Sequence, residues 1–241
     1  MEDSARVALA GGRWLEIAPE RIVGWLSAFA ARHGGAEVAP GAAAVRYTCA
    51  DGAIAECHAP FPPLPNAADM STVSLATTQP EVVADRIAVH ASADRTVGVL
   101  IVRLGGHAAG VFSGAPPRLV SSKTGSRLVH GRSAAGGTSQ QRFARRREKQ
   151  AGEALSGAAD TAVSVFESYP GQLDAVVLGG DRSAIRRVGQ DARLRPYFDL
   201  AVERFLTVPE PRLAVLRDTP RLFRAVRIRL IDPPPPALTR Q

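Results

Sequence analysis

Between Arg118 and Lys149 the chain gathers nine basic residues and a single acidic one, Glu148. Arg118, Lys123, Arg127 and Arg132 precede a glycine-rich stretch, GRSAAGG, and Arg142, Arg145, Arg146, Arg147 and Lys149 follow it. At helical spacing Arg142, Arg145, Arg146 and Lys149 fall on one side, while Phe143 points elsewhere. Solvated helix faces ordinarily mix charge signs. A one-signed face suits contact with a phosphate backbone, where affinity comes from counterion release and no base is read. The net charge of +7 over 241 residues points the same way, although Arg greatly outnumbers Lys, as a codon bias would also produce.

Self-contained catalytic sets are missing. The chain has no P-loop pattern, no H-E-x-x-H, no His/Cys cluster and no G-x-S-x-G elbow; Ser133 in GRSAA lacks the last glycine. His33, His58, His90, His107 and His130 are scattered and expected at surface or turn positions rather than as catalytic bases. Gly179-Gly180 could approach a phosphate at a helix N-terminus, but without a full G-x-G-x-x-G a tight turn is the simpler reading. Neither a metal nor a cofactor is expected. Cys49 and Cys57 lack C-x-x-C spacing and are read as free thiols in a reducing cytosol. No leader pattern and no bilayer-length apolar run is visible, so a cytoplasmic location without membrane contact is expected.

The elements that must position the basic segment can be read from periodicity. With 45% hydrophobic, 22% charged and only 5% aromatic residues, the core must be built mainly from Val, Leu, Ile and Ala. Val97 to Leu104 is the most strand-like run, and Gly105-Gly106 turns it into a second strand, His107 to Ser113. Further strand is expected from Arg118 to Val129, interrupted by SSKTGS. Gly131 to Gly137 is read as irregular. A long helix follows, with Phe143, Ala151, Leu155, Ala158, Ala162 and Phe166 as its apolar stripe, capped by Ser139. Running to about Tyr169 it would be roughly 45 Å long at ~1.5 Å per residue, with Gly152 and Gly157 as possible break points. Leu173 to Leu178 reads as a buried strand, Ser183 to Gln190 as a helix, and Leu200 to Leu206 as either. Together these suggest a βαβ unit with some parallel sheet.

Upstream, Pro19 to His33 reads as a helix burying Ile22, Trp25, Leu26 and Phe29. Val45 to Cys57 reads as a hairpin on Asp51-Gly52, pairing Cys49 with Ile54 and Arg46 with Cys57, so the two sulfurs are not opposite each other. FPPLPNA, Phe61 to Ala67, reads as a connector. Val226, Ile228 and Leu230 alternate with arginines, as in a half-exposed final strand. The expected division is residues 1–67 as an N-terminal helix-and-hairpin portion, 68–232 as the main domain, and 233–241 as a disordered Pro-rich tail.

One stretch is specific. GGTSQQRFARRREKQ, Gly136 to Gln150, resembles the loop and helix of the Vms-like release-factor family in its bacterial, actinobacterial-type branch. That family is related to the central Gly-Gly-Gln domain of eukaryotic peptide-chain release factors. Its G-x-x-Q pattern is met by Gly137, Thr138, Ser139 and Gln140, and VVLGGDRSAI, Val176 to Ile185, resembles the branch's strand-turn-helix. The resemblance covers about Val73 to Asp232. It departs in two ways: the loop is Gly-Gly-Thr-Ser-Gln rather than Gly-Gly-Gln, and the zinc-finger and repeat regions of eukaryotic members are lacking.

The resemblance implies an α/β fold, an RNase H-like mixed sheet with packed helices and a projecting glycine loop. It implies a peptidyl-tRNA hydrolase acting on stalled complexes, with the ribosomal large subunit, rRNA and peptidyl-tRNA as partners of a monomer. In that reading Gln140 orients water, Gly136, Gly137 and Ser139 shape the loop, and Lys123, Arg127, Arg132, Arg142, Arg145, Arg146, Arg147 and Lys149 bind RNA. The alternatives are a non-enzymatic ribosome- or RNA-binding factor and an endonuclease acting near the tRNA 3′ end.

Overall fold

Two patterns of apolar residues, each closed on its own core, divide the chain into two compact units: 1–93 with 224–241, and 94–223. The computed structural model describes residues 12–41, 44–64, 79–103, 105–126 and 139–233, with the main chain alone over 139–147.

The first unit is an antiparallel sheet covered by two helices. Its strands are β1 (Arg13–Ile17), β2 (Ala36–Pro40), β3 (Ala44–Cys49), β4 (Ile54–His58) and β10 (Val226–Ile231), in the order β1-β10-β4-β3-β2. Period-2 alternation puts Val45, Tyr47, Cys49, Ala55, Cys57, Val226, Ile228 and Leu230 in one core. Helix α1 (Pro19–Arg32) adds Ile22, Leu26 and Phe29, and α2 (Pro80–Ser92) adds Val83, Ala84, Ile87 and Ala91. Proline at the first helical position starts both helices, where its missing N–H costs nothing. The buried Tyr47 hydroxyl donates to the Pro80 carbonyl at 3.0 Å, tying strand to helix. Both cysteines are free and buried, and burial pushes both thiols up, away from reactivity.

The hairpin forms where the sequence places it, one residue out of the expected register. Cys49 faces Ala53, and Arg46 faces Glu56, rather than Ile54 and Cys57. The turn holds three residues, with Gly52 at φ 90° and the Asp51 carboxylate accepting from the Ala53 N–H at 2.9 Å. A one-residue slip would turn the apolar side chains of one strand out of the core, so burial decides the register. The two sulfurs do sit away from each other, since Cys57 faces Val45.

The second unit carries the basic segment. Its strands are β5 (Val97–Arg103), β6 (Gly106–Ser113), β7 (Arg118–Ser126), β8 (Ala175–Gly180) and β9 (Ala201–Leu206), in the order β7-β6-β5-β8-β9. β6 is antiparallel to β5 and β7, while β8 is parallel to β5 and β9 to β8. Only the second strand therefore runs against the rest, which is the RNase H-like arrangement. β5 is central and buried from Val97 to Val102, which is why it reads as a continuous apolar run. Helix α3 (Ser139–Phe166) and the short α4 (Arg182–Val188) cover one face, through Ala158, Ala162, Phe166, Ala184, Ile185 and Val188. Helix α6 (Leu213–Phe223) covers the other, with Phe223 edge-on to Phe112 at 5.8 Å. A one-turn helix, α5 (Arg195–Phe198), leads into β9.

Several expectations change. SSKTGS does not interrupt β7, because β6 pairs with it along its length. α3 is unbroken through Gly152 and Gly157. Of the stretch Leu200 to Leu206, Ala201–Leu206 is strand β9 and Leu200 ends the preceding turn. β1, β2 and α2 carry too little hydrophobic contrast to have been read from the sequence, and Pro220 inside α6 masks the strong amphipathicity of that helix. The division of the chain also falls elsewhere than residue 67: α2 and β10 join the first unit because their apolar faces complete its core. Gly131 to Gly137 and the tail from residue 234 lie outside the described residues.

Candidate functional site

The basic segment is held by its helix. β7 ends at Ser126 and α3 opens at Ser139, so both ends of the intervening segment are set by the second unit. Ser139 and Gln140 are the first two residues of α3, so Gln140 stands in the helix's first turn, and Ser139 is helical rather than its cap. Arg142, Arg145, Arg146 and Arg147 follow within three turns, and Lys149 is exposed beyond them. Lys123 is exposed on β7. Gly136, Gly137, Arg127 and Arg132 lie outside the described residues.

The seat of α3 is a histidine. His107, on β6, places Nε2 3.0 Å from the Thr161 hydroxyl of α3. Gly125 lies opposite it on β7, where a Cβ would run into the imidazole ring, and Gly157 of α3 passes above. Burial holds the His107 pKa below its ordinary value, so the ring is neutral at pH 7. His107 is half-buried, and His90, on α2, is buried with Nε2 2.7 Å from the Phe61 carbonyl. Both histidines are therefore structural positions rather than the surface or turn positions expected. Glycines opposite and above His107 were the available signal, but their pairing with it is legible only once the sheet is known.

The Gly179-Gly180 turn is explained by sterics. Gly180 has φ 96°, and a Cβ there would collide with the Val102 carbonyl. The next residue, Asp181, caps α4: its Oδ1 accepts from Ser183 Oγ at 2.6 Å, Ser183 N at 2.7 Å and Ala184 N at 2.9 Å. The Ser183 hydroxyl first, then the Ala184 N–H, hold this carboxyl below the usual range. A carboxylate thus occupies the helix N-terminus, where a phosphate would otherwise bind. Beside it, Val102, Arg103, His107, Leu155 and Arg187 help line a cavity of about 50 Å³, room for a few waters but not for a base. Among the described residues no group of three His, Cys, Asp or Glu side chains could hold a metal ion, and no helix is long and apolar enough to cross a membrane.

Residues 95–229, more than half of the chain, match the model of the actinobacterial and chloroflexi VLRF1 release factor family, acVLRF1. The chain belongs to this family. The match begins one residue inside the second unit and contains β5 to α6, including the whole basic segment. No curated protein matches this chain. Among solved structures, an archaeal translation termination factor, aRF1, is 13% identical, with 74% of this chain and 51% of that one covered and a TM-score of 0.41. The Vms1 mitochondrial localization core is 11% identical, with 80% and 77% covered and a TM-score of 0.38. The chain thus spans about half the length of the archaeal factor.

Proposed function

We propose that this acVLRF1 member is a ribosome-associated peptidyl-tRNA hydrolase that releases nascent peptide from stalled complexes. The observation that carries the reading is the family match across residues 95–229, which contains the G-x-x-Q segment and the one-signed basic start of α3. The peptide is joined to tRNA by an ester already activated toward water, so no strong base is required. Water adds to the ester carbonyl, giving a tetrahedral oxyanion; collapse breaks the bond to the ribose oxygen, which takes one of the water's protons to become the free tRNA hydroxyl, while the other passes to solvent and leaves the peptide as a carboxylate. Gln140 orients that water through its amide, which offers an acceptor and donors without titrating. Gly136 and Gly137 let the backbone enter a narrow site, and Ser139 completes the turn into α3. Lys123, Arg127, Arg132, Arg142, Arg145, Arg146, Arg147 and Lys149 hold rRNA or the tRNA acceptor stem, and RNA completes the site on the large subunit.

The test is peptide release from stalled 70S and free large-subunit complexes. Gln140→Ala is expected to slow release by roughly a hundredfold or more, as for loss of one transition-state donor, while leaving ribosome binding intact. Full release by this variant would sink the mechanism. Sizing the released tRNA checks the bond broken: an intact 3′ end means ester cleavage, and a shortened one means phosphodiester cleavage.

A further inference from the structure

Beyond α3, the outer face of α4 is basic. Arg182, Arg186 and Arg187 are exposed, and the apolar side of the helix, Ala184, Ile185 and Val188, packs into the core beside α3. The nearby carboxylates are already engaged. Asp181 accepts from the α4 N-terminus. Asp191 is paired with Arg193 at 2.6 Å and held down to about 2, chiefly by that arginine's hydrogen bond. Asp160 of α3 also accepts from Arg193, at 2.7 Å. Arg182 stands 4.2 Å over the Phe205 ring. Among the described residues Arg186 and Arg187 have no side-chain hydrogen-bond or ion-pair partner.

A helix C-terminus favours cations, which would account for Arg186 and Arg187. The same dipole disfavours Arg182 at the first position of α4, and it does not explain why, among the described residues, no carboxylate pairs with any of the three. Arg187 also rims a depression of about 320 Å³ between α3 and α4, lined by Gly152, Leu155, Ser156 and Ala159 of α3 and, beyond α4, by Asp191. Asp191 is neutralised there by Arg193 at 2.6 Å, so Arg187 gives the depression the positive sign that a sugar-phosphate strand requires.

We propose that α4, through Arg182, Arg186 and Arg187, binds the phosphate backbone of structured RNA as a second anchor, separate from the basic first turns of α3. This deepens the RNA contact of the proposed function and rests on it for the identity of the RNA. The contact reads no base, because three guanidinium groups on one short exposed helix face can track phosphates but present no groove-matched array.

The test uses the full chain, a fluorescein-labelled 20-base-pair RNA duplex, and anisotropy between 50 and 200 mM KCl. R186Q/R187Q should weaken binding about tenfold at 100 mM salt and lower the slope of log affinity against log salt by about two. R186K/R187K should retain most of the affinity, since a phosphate accepts either cation. R217Q/R221Q, which removes the same charge from α6, should leave the slope near that of the wild type. An unchanged slope in R186Q/R187Q, or an equal fall in R217Q/R221Q, overturns the proposal. Should the glutamine pair unfold, R186Q and R187Q singly carry the test, each expected to lower the slope by about one. A wild type that binds the duplex with α4-dependent slope but releases no peptide would remove the hydrolase and keep this anchor. Peptide release with no α4 dependence would do the reverse.

Discussion

Two residues show how much a single position can decide. Gly180 must adopt φ 96° and leave no room for a Cβ against the Val102 carbonyl, so Gly180→Ala is expected to cost at least about 1–3 kcal/mol in strain alone. Chemical denaturation would read this as a lower midpoint at unchanged slope. His107 sets a pH dependence. Its folded pKa lies below the unfolded value of ~6.5, so below that pH the unfolded chain binds a proton that the folded chain refuses. Stability should fall as pH drops from about 7 toward 5, above the range where carboxylates titrate. His107→Gln should flatten melting temperature against pH across that window; an equally steep profile would remove the assignment. Neither role was legible beforehand. The glycines and the histidine are visible in the chain, but the pairing of His107 with Gly125 requires the register of β6 on β7.

At the scale of elements, α3 joins two demands. Its second half is a core helix, with Ala158, Ala162 and Phe166 buried. Its first half carries no acidic residue in the first turn and a run of arginines instead, against the helix dipole and with like charges four apart. Such a start is poorly stabilised by its own sequence and gains most from a bound polyanion. Gly152 lies between the halves, and a Cβ there meets nothing within 4 Å. Gly152→Ala is therefore expected to stabilise the helix by ~0.5–1 kcal/mol, seen as a raised melting temperature. No change would mean that the glycine carries no conformational cost there. The stripe from Ala151 to Phe166 made this helix readable, since its period matches the turn. The strands β1 and β2 were not readable, because each is five residues long and none of its side chains is fully buried, which leaves little hydrophobic contrast between the two faces.

For the whole molecule, the consequential fact is that the first unit is discontinuous. β10, near the end of the chain, lies between β1 and β4, so residues 1–93 alone lack the strand that joins them. The second unit is continuous from 94 to 223 and closes its own core. A fragment of residues 94–223 is expected to give a dispersed amide NMR spectrum, and one of residues 1–93 a collapsed one; the opposite result would overturn this division. Sequence alone determined the order of β5, β6, α3, β8 and α4, the one-signed charge of the basic segment and its likeness to a release-factor loop, because periodicity, charge and motif are local properties. The tertiary structure decided what depends on residues far apart in the chain. It put β10 into the first sheet, ran β8 parallel to β5, seated α3 on His107 and left Arg186 and Arg187 exposed on α4 beside it. Each of these is settled by which apolar faces can be buried together, and no local pattern contains that information.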